Sequence, residues 1–194
     1  MQINLREIQG NWNKGFALDK HKISSTYIGD NQWGRPMFDT KRTEAGEALY
    51  QLKYKYDWEQ VDALAQAVAQ HIVPRLPQIG LIVPMPASSW RARQPVTEVA
   101  RALGQVMKVP LFENLLTKKT GGPKLKDLPT REARIEALAN AFTVADTIAG
   151  DQAWNVLLLD DLYDSGATAQ AACQALRTYR KISGVYVATL TSTV

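Results

Sequence analysis

The chain has 194 residues, enough for one globular domain with a substantial buried core. Hydrophobic residues make up 45% of it and charged residues 22%, and no apolar run approaches the roughly 18 residues that cross a bilayer. The net charge of +4 favours an anionic partner, either a nucleic acid or a phosphorylated small molecule. The single cysteine, Cys173, excludes an internal disulfide, and with only two histidines a Cys/His zinc site is unsupported. We expect a cytoplasmic protein with no membrane association.

The first 57 residues differ in texture from the rest of the chain. Short apolar and aromatic segments alternate with glycines and Pro36, a pattern that predicts short strands and turns. The segment LKYKYDW (52–58) alternates basic with aromatic residues and is interpreted as a strand with one buried face. Stacking on single-stranded DNA is the alternative for this segment. We therefore predict a β-rich N-terminal region, a hood or an appendage, over residues 1–57.

Residues 58–194 alternate between helical and strand patterns and are predicted to form the core. Apolar residues at helical spacing predict helices over 58–73, 95–107 and 167–181, and REARIEALANAF (131–142) also has helical texture. Apolar runs predict strands over 79–83, 109–112, 156–159 and 184–192, and the polar segment 118–132 predicts a long loop. Buried strands that alternate with helices predict an α/β fold, with a mainly parallel sheet flanked by helices.

The stretch VLLLDDLYDSGAT (156–168) carries the strongest chemical signal. Ligands of open parallel sheets bind at the carboxyl ends of strands, where Asp160 and Asp161 are predicted to lie. The following turn leads into a helix, and a glycine with free helix N–H groups suits a phosphate. Carboxylates accept hydrogen bonds from ribose hydroxyls and favour Mg²⁺. Ordinary helix capping would explain one such polar residue, but not three carboxylates with Ser, Gly and Thr in this order.

This stretch resembles the phosphoribosyl-pyrophosphate (PRPP) motif of type I phosphoribosyltransferases. Three further segments resemble the competence-protein ComF family: LKYKYDW, LIVPMPASSWRARQPVTEVARALG (81–104), and the segment from Arg134 to Phe142. Together they span about residues 50 to 192. The Cys-rich N-terminal zinc element of many ComF proteins is absent, and Ala137 stands where that family has an asparagine. The resemblance implies a type I phosphoribosyltransferase fold.

The resemblance also implies roles for individual residues. Asp160 and Asp161 would hold the ribose hydroxyls, directly or through Mg²⁺, and Asp164 matches a proton acceptor proposed for purine-using relatives. The 5′-phosphate would be bound by Asp164, Ser165, Gly166, Ala167 and Thr168. The pyrophosphate would be bound by Ala87, Ser88 and Ser89 with Arg91 or Arg93. A flexible loop that closes over the site would carry Lys118, Lys119, Lys124 and Lys126.

Two functions follow as hypotheses. The first is a ComF-like phosphoribosyltransferase that binds PRPP and Mg²⁺ and transfers phosphoribosyl to or from a nitrogen nucleophile, with PRPP or a nucleoside monophosphate as ligand. The second is a non-catalytic regulator that binds PRPP or a nucleotide, or an accessory protein for DNA uptake that binds single-stranded DNA. The sequence leaves the oligomeric state open, and a homodimer is one alternative because dimers are common among relatives. The sequence does not identify the acceptor base.

Overall fold

The computed structural model describes residues 1–119, 130, 138 and 141–194. The described helices are α1 (Glu44–Tyr54), α2 (Gln60–Ala67), α3 (Pro95–Met107) and α4 (Ala167–Arg177), and a π-helical turn (Val68–Ile72) and a 3-10 turn (Val73–Arg75) extend α2. The described strands are β1 (Arg6–Glu7), β2 (Lys14–Ala17), β3 (Lys22–Asp30), β4 (Pro36–Arg42), β5 (Leu81–Pro84), β6 (Leu116–Lys118), β7 (Phe142–Val144), β8 (Trp154–Tyr163) and β9 (Ile182–Ser192).

Five of these strands form the central sheet, in the order β1-β2-β9-β8-β5. The pairs β2–β9, β9–β8 and β8–β5 are parallel, and only the short edge strand β1 is antiparallel to its neighbour. The pairs β3–β4 and β6–β7 are separate antiparallel ribbons. The predicted α/β fold with a mainly parallel sheet is therefore confirmed.

Alternation along β8 builds one hydrophobic core on each face of the sheet. Val156 and Leu158 point toward α4, whereas Leu157 and Leu159 point toward α1, α2 and α3. All four side chains are fully buried, and each contributes on the order of 1.5–3 kcal/mol by leaving water. The two cores fix the orientation of β8, and with it the orientation of every residue that continues the strand.

The predicted helices of the core are largely confirmed, and two of the four predicted strands, those at 79–83 and 184–192, shift by only one or two residues to Leu81–Pro84 and Ile182–Ser192, whereas the other two change in extent. Helix α3 has the predicted limits, and the helix predicted over 167–181 ends at Arg177. The strand predicted over 156–159 runs instead from Trp154 to Tyr163, because β9 pairs with it along this whole length. The strand predicted over 109–112 is reduced to a single bridge between Leu111 and Ile82. Except for Leu138, Ala141 and Phe142, the helical segment 131–142 lies outside the described residues.

The interpretation of LKYKYDW as a strand is wrong, because this segment begins inside α1. The Thr43 hydroxyl accepts a hydrogen bond from the amide of Gly46 (3.0 Å) and so caps the helix N-terminus. Leu49 and Leu52 then bury one side of the helix against the sheet. Helix α1 therefore delivers its last turn, including Lys53, to the edge of the sheet where β8 ends.

The N-terminal region contributes to the core as well as to the surface. Strand β2 pairs with β9 in the central sheet, whereas the β3–β4 ribbon exposes Tyr27, Trp33 and Phe38. The division predicted between residues 57 and 58 stays a prediction. No helix in the described ranges is both long and apolar enough to span a membrane.

Candidate active site

The candidate site lies where β8 extends beyond the end of its neighbour β5. The last residue pair of the two strands is Pro84 with Leu159, after which the amide of Met85 donates a hydrogen bond to the Leu159 carbonyl (2.7 Å). Strand β8 continues beside β9 as far as Tyr163. Asp160 and Asp161 were expected after the end of the strand, but they lie within it. They still occupy the carboxyl-end edge of the sheet, because β5 has already ended there.

The two carboxylates lie on opposite faces of the sheet. Asp161 follows the alternation of Leu159 toward α1, and its Oδ2 accepts a hydrogen bond from Lys53 Nζ at 2.6 Å. Asp160 follows Leu158 toward the other face, and its charge interacts there with Lys118 of β6. A ligand that contacts both carboxylates must therefore cross the end of the sheet.

The environment of Asp160 disfavours its ionised form. Burial, helped by the neighbouring charge of Asp161, raises the pKa of Asp160 to about 7. The amide of Asp161, which donates to Asp160 Oδ1 at 2.8 Å, and the charges of Lys53 and Lys118 oppose this rise. Near neutral pH the carboxyl can therefore accept or release a proton, and a bound cation would favour its ionised form.

A network that the motif did not predict surrounds Asp161. Lys53 comes from α1, 108 residues away in sequence, and its side chain is about as buried as that of its partner Asp161. The Thr191 hydroxyl donates to the Asp161 carbonyl (3.1 Å) and lies 3.3 Å from His21 Nδ1. Burial lowers the pKa of His21, and the charges of Arg42, Lys22 and Lys53 lower it further, against the opposing charge of Asp161. The lowered pKa favours the neutral form of the His21 ring.

The predicted phosphate loop forms a tight turn between β8 and α4. Gly166 has a φ of 77°, and a Cβ atom there would lie 2.9 Å from the ring of Tyr163. The first residue of α4 is Ala167, and no side chain caps the helix at Gly166. Asp164 is exposed, and its Oδ1 accepts a hydrogen bond from the Thr193 hydroxyl at 2.7 Å. That carboxylate is turned toward Thr193, and the amide of Ala167 makes only a long hydrogen bond to the Ser165 hydroxyl (3.4 Å), which an anion at the first turn would replace.

The predicted pyrophosphate loop starts beside Asp160, at the end of β5. Ala87, Ser88 and Ser89 are exposed, and both arginines contact other parts of the chain. Arg91 donates to the carbonyl of Lys53 (3.0 Å). Arg93 stacks on Trp58 at 4.1 Å from the ring centre and pairs with Glu98 at 3.1 Å. The structure therefore brings the loop to the acidic pair, with Arg91 joining it to α1.

Only part of the predicted lysine loop can be described. Lys118 lies in β6, and its ammonium group is 5.9 Å from the ring centre of Phe142. The amide of Lys119 donates to the carbonyl of Ala141 at 2.8 Å, at the base of the β6–β7 ribbon. Lys124 and Lys126 lie outside the described residues. Of the two described lysines of this loop, Lys118 is the one whose charge acts on Asp160.

The described residues suggest how a metal would be held at this site. Among the described residues no group of three or more His, Cys, Asp or Glu side chains comes together. Mg²⁺, however, commonly binds through one or two carboxylates while phosphates and waters complete its shell. The pair Asp160 and Asp161 fits that second mode.

Comparisons with known proteins give weak structural similarity. No family model and no curated protein matches the chain. Adenine phosphoribosyltransferase from Saccharomyces cerevisiae is 12% identical with a TM-score of 0.49, and the match covers 88% of this chain and 85% of that one. The corresponding enzyme from Leishmania donovani is 12% identical with a TM-score of 0.48, covering 95% of this chain and 73% of that one. A hypothetical protein from Neisseria gonorrhoeae with bound ppGpp is 15% identical with a TM-score of 0.45, covering 68% and 66%. Similarities this low do not assign the chain to a family.

Proposed function

We propose that this chain is a phosphoribosyltransferase of the type I class, which binds PRPP with Mg²⁺ and transfers the phosphoribosyl group to or from a nitrogen nucleophile. One arrangement carries the proposal. At one end of β8, the acidic pair, the glycine turn into α4 and the loop that follows β5 are direct neighbours. Phosphorylated sugars need these three kinds of group together: acceptors for hydroxyls, amides for a phosphate and cations for a leaving group. The finer assignment to a ComF-like family remains a prediction from the sequence.

The chemistry asks the protein to bind and orient rather than to form a covalent intermediate. In the transfer, the bond from ribose C1 to the pyrophosphate oxygen breaks and the electron pair leaves with pyrophosphate. The lone pair of the acceptor nitrogen forms the new bond to C1, and the proton of that nitrogen passes to solvent water. Positive charge develops on the ribose, so the carboxylates of Asp160 and Asp161 would stabilise it, and Lys118 would face the leaving group.

Mg²⁺, when bound, would neutralise the negative charge that builds on the departing pyrophosphate. Asp160 and Asp161 are the residues that would hold it, in part through the ligand's own oxygens. Lys53 pairs with Asp161 in the ligand-free protein, and it would have to release that carboxylate or share it. Asp164 was predicted as a proton acceptor from the acceptor base; that role stays a prediction, and here its Oδ1 accepts from Thr193.

Calorimetric titration with Mg-PRPP tests the proposal. Wild-type protein is expected to bind, and the double variant Asp160→Asn with Asp161→Asn is expected to bind at least about 100-fold more weakly, because two charge-assisted hydrogen bonds are lost. The control is Asp39→Asn with Asp62→Asn, two exposed aspartates away from the site. Circular dichroism is the check that both variants fold. Absence of binding to wild type at millimolar ligand, or equal binding by the double variant, refutes the proposal.

The non-catalytic alternative is favoured by one observation, the exposure of Tyr54 and Tyr56 beside the site. Two further members of that basic and aromatic segment already have partners: Lys53 pairs with Asp161, and Arg93 stacks on Trp58. Salt-dependent binding of single-stranded DNA without release of pyrophosphate from PRPP across a panel of bases would support the alternative. Release of pyrophosphate with any base supports the enzyme.

A further inference from the structure

A second cleft lies on the β2 side of the acidic pair, away from the phosphate and pyrophosphate loops. Its volume is about 400 Å³, the size of a pocket for one small organic molecule. Residues from the N-terminus, the end of β2, both strands of the β3–β4 ribbon and the start of α1 line it. They are Gln2, Asn4, Asp19, Lys20, Lys22, Ile23, Arg42, Thr43 and Glu44.

The two acidic side chains of this cleft, Asp19 and Glu44, accept hydrogen bonds from backbone amides of the chain itself. The two carboxylate oxygens of Asp19 accept hydrogen bonds from the amides of Asn4 (3.2 Å) and Lys20 (2.7 Å). Glu44 accepts from the amide of Gln2 at 2.7 Å, and the amino group of Met1 lies 3.9 Å from the same oxygen. The Met1 amino group offsets the charge of Glu44, whereas Asp19 is held by neutral amides and keeps its negative charge in the cleft.

The cationic side chains of the cleft have fewer partners. Lys20 and Lys22 form no ion pair with any described residue. Arg42 pairs with Glu47 at 3.4 Å and stacks on Tyr50, yet its buried Nε donates to no acceptor in the described part of the chain. Since Arg42 is paired with Glu47, the charges that remain in the lining are those of Lys20 and Lys22 against the one carboxylate of Asp19. The cleft therefore keeps a net positive charge.

His21 connects this cleft to the acidic pair. It follows Lys20 directly, its amide donates to the Ser192 carbonyl (2.7 Å), and its ring lies 3.3 Å from the Thr191 hydroxyl that binds the Asp161 carbonyl. Besides burial, the charges of Arg42, Lys22 and Lys53 lower the pKa of this ring, and that of Asp161 raises it, so the ring is within reach of charges from the cleft and from the acidic pair. A molecule in the cleft would thus lie next to a ribose held at Asp161.

From this arrangement we infer that the cleft holds the acceptor, and that the acceptor is an anionic heterocycle with a carboxylate or an equivalent negative group. The inference rests on the proposed function and adds the substrate class to it. A neutral base in the cleft would displace water from Lys20 and Lys22 without replacing it by a counter-charge. A carboxylate would neutralise them, and the neutral ring of His21 could hydrogen-bond the heterocycle.

Matched pairs of probes that differ in charge test this inference by calorimetry. Nicotinate is compared with nicotinamide, and orotate with uracil, each with and without Mg-PRPP. We expect the carboxylate of each pair to bind at least about 10-fold more tightly, since two cations face it. The double variant Lys20→Gln with Lys22→Gln is expected to lose this preference. The control, Lys14→Gln with Lys55→Gln, removes the same charge outside the cleft and should keep it.

The outcomes separate the two proposals. Equal binding of charged and neutral probes, a preference that survives in the cleft variant, or no binding of any probe overturns the inference. Binding of Mg-PRPP in that case leaves the proposed function standing. If instead the carboxylates bind through Lys20 and Lys22 while Mg-PRPP does not bind, the cleft is an anion site and phosphoribosyl transfer is refuted.

Discussion

Replacing Asp160 by asparagine is expected to stabilise the ligand-free protein at pH 8. The pKa of this carboxyl is about 7 in the folded state, against 3.8 for an unperturbed aspartate. Between about pH 4 and pH 7 the native state therefore binds a proton that the unfolded chain has released, so the free energy of unfolding falls as pH rises through this window. Asparagine does not titrate, and its Oδ1 can still accept a hydrogen bond from the amide of Asp161. The free energy of unfolding of the variant therefore does not fall in this way as pH rises.

The magnitude follows from the pKa difference. A difference of about 3 corresponds to about 4 kcal/mol at full effect, and screening of the half-buried side chain by water reduces it to roughly 1–3 kcal/mol. Urea unfolding at several pH values measures it, and Tm should rise by about 2–4 °C per kcal/mol in a chain of this size. The control Asp39→Asn should give no pH-dependent gain. A variant less stable than wild type at pH 8, or a difference that does not grow from pH 4 to pH 8, refutes the reasoning.

Two further variants examine the turn and the ion pair. Gly166→Ala should lower the free energy of unfolding by about 1–2 kcal/mol because of the positive φ, and further because the new Cβ would clash with the Tyr163 ring. The control Gly150→Ala has a similar φ of 71° but no atom within 4 Å, so it should show only the cost of the backbone conformation. Equal costs in urea unfolding would contradict the contact with Tyr163. Lys53→Met should raise the pKa of His21, because it removes one of the cations that lower it, and an NMR titration of the His21 ring measures this. An unchanged His21 pKa would show that Lys53 does not act on the ring.

Much of the core could be predicted because its patterns are local. Helix α3 follows from apolar residues at helical spacing after Pro95, and the buried strands follow from their aliphatic runs. The extension of β8 through Asp160 could not be predicted, since charged residues normally end an apolar strand. It forms because β9 offers paired backbone as far as Ser192. The length of a strand thus depends on the backbone of its neighbour as well as on its own residues.

The sequence singles out candidate site residues in short stretches, and it gives no signal for contacts between distant parts of the chain. The motif located the acidic pair and the glycine turn, but Lys53 reaches Asp161 across 108 residues, a contact that no local pattern encodes. Helix α1 was missed because aromatic and basic residues near its end imitate a strand. The cap at Thr43, followed by Glu44 and Glu47 in the first turn, was the available signal.

The overhang of β8 beyond β5 also creates an open sheet edge. After Leu159 the strand has no ladder partner on that side within the described ranges, and such edges invite pairing with another chain. Asp160 and Asp161 place two carboxyl groups on this edge. Asp160 Oδ1 accepts a hydrogen bond from the amide of Asp161, so the edge has one free donor fewer. The residues proposed to bind a sugar thus also protect the protein from self-association through this edge.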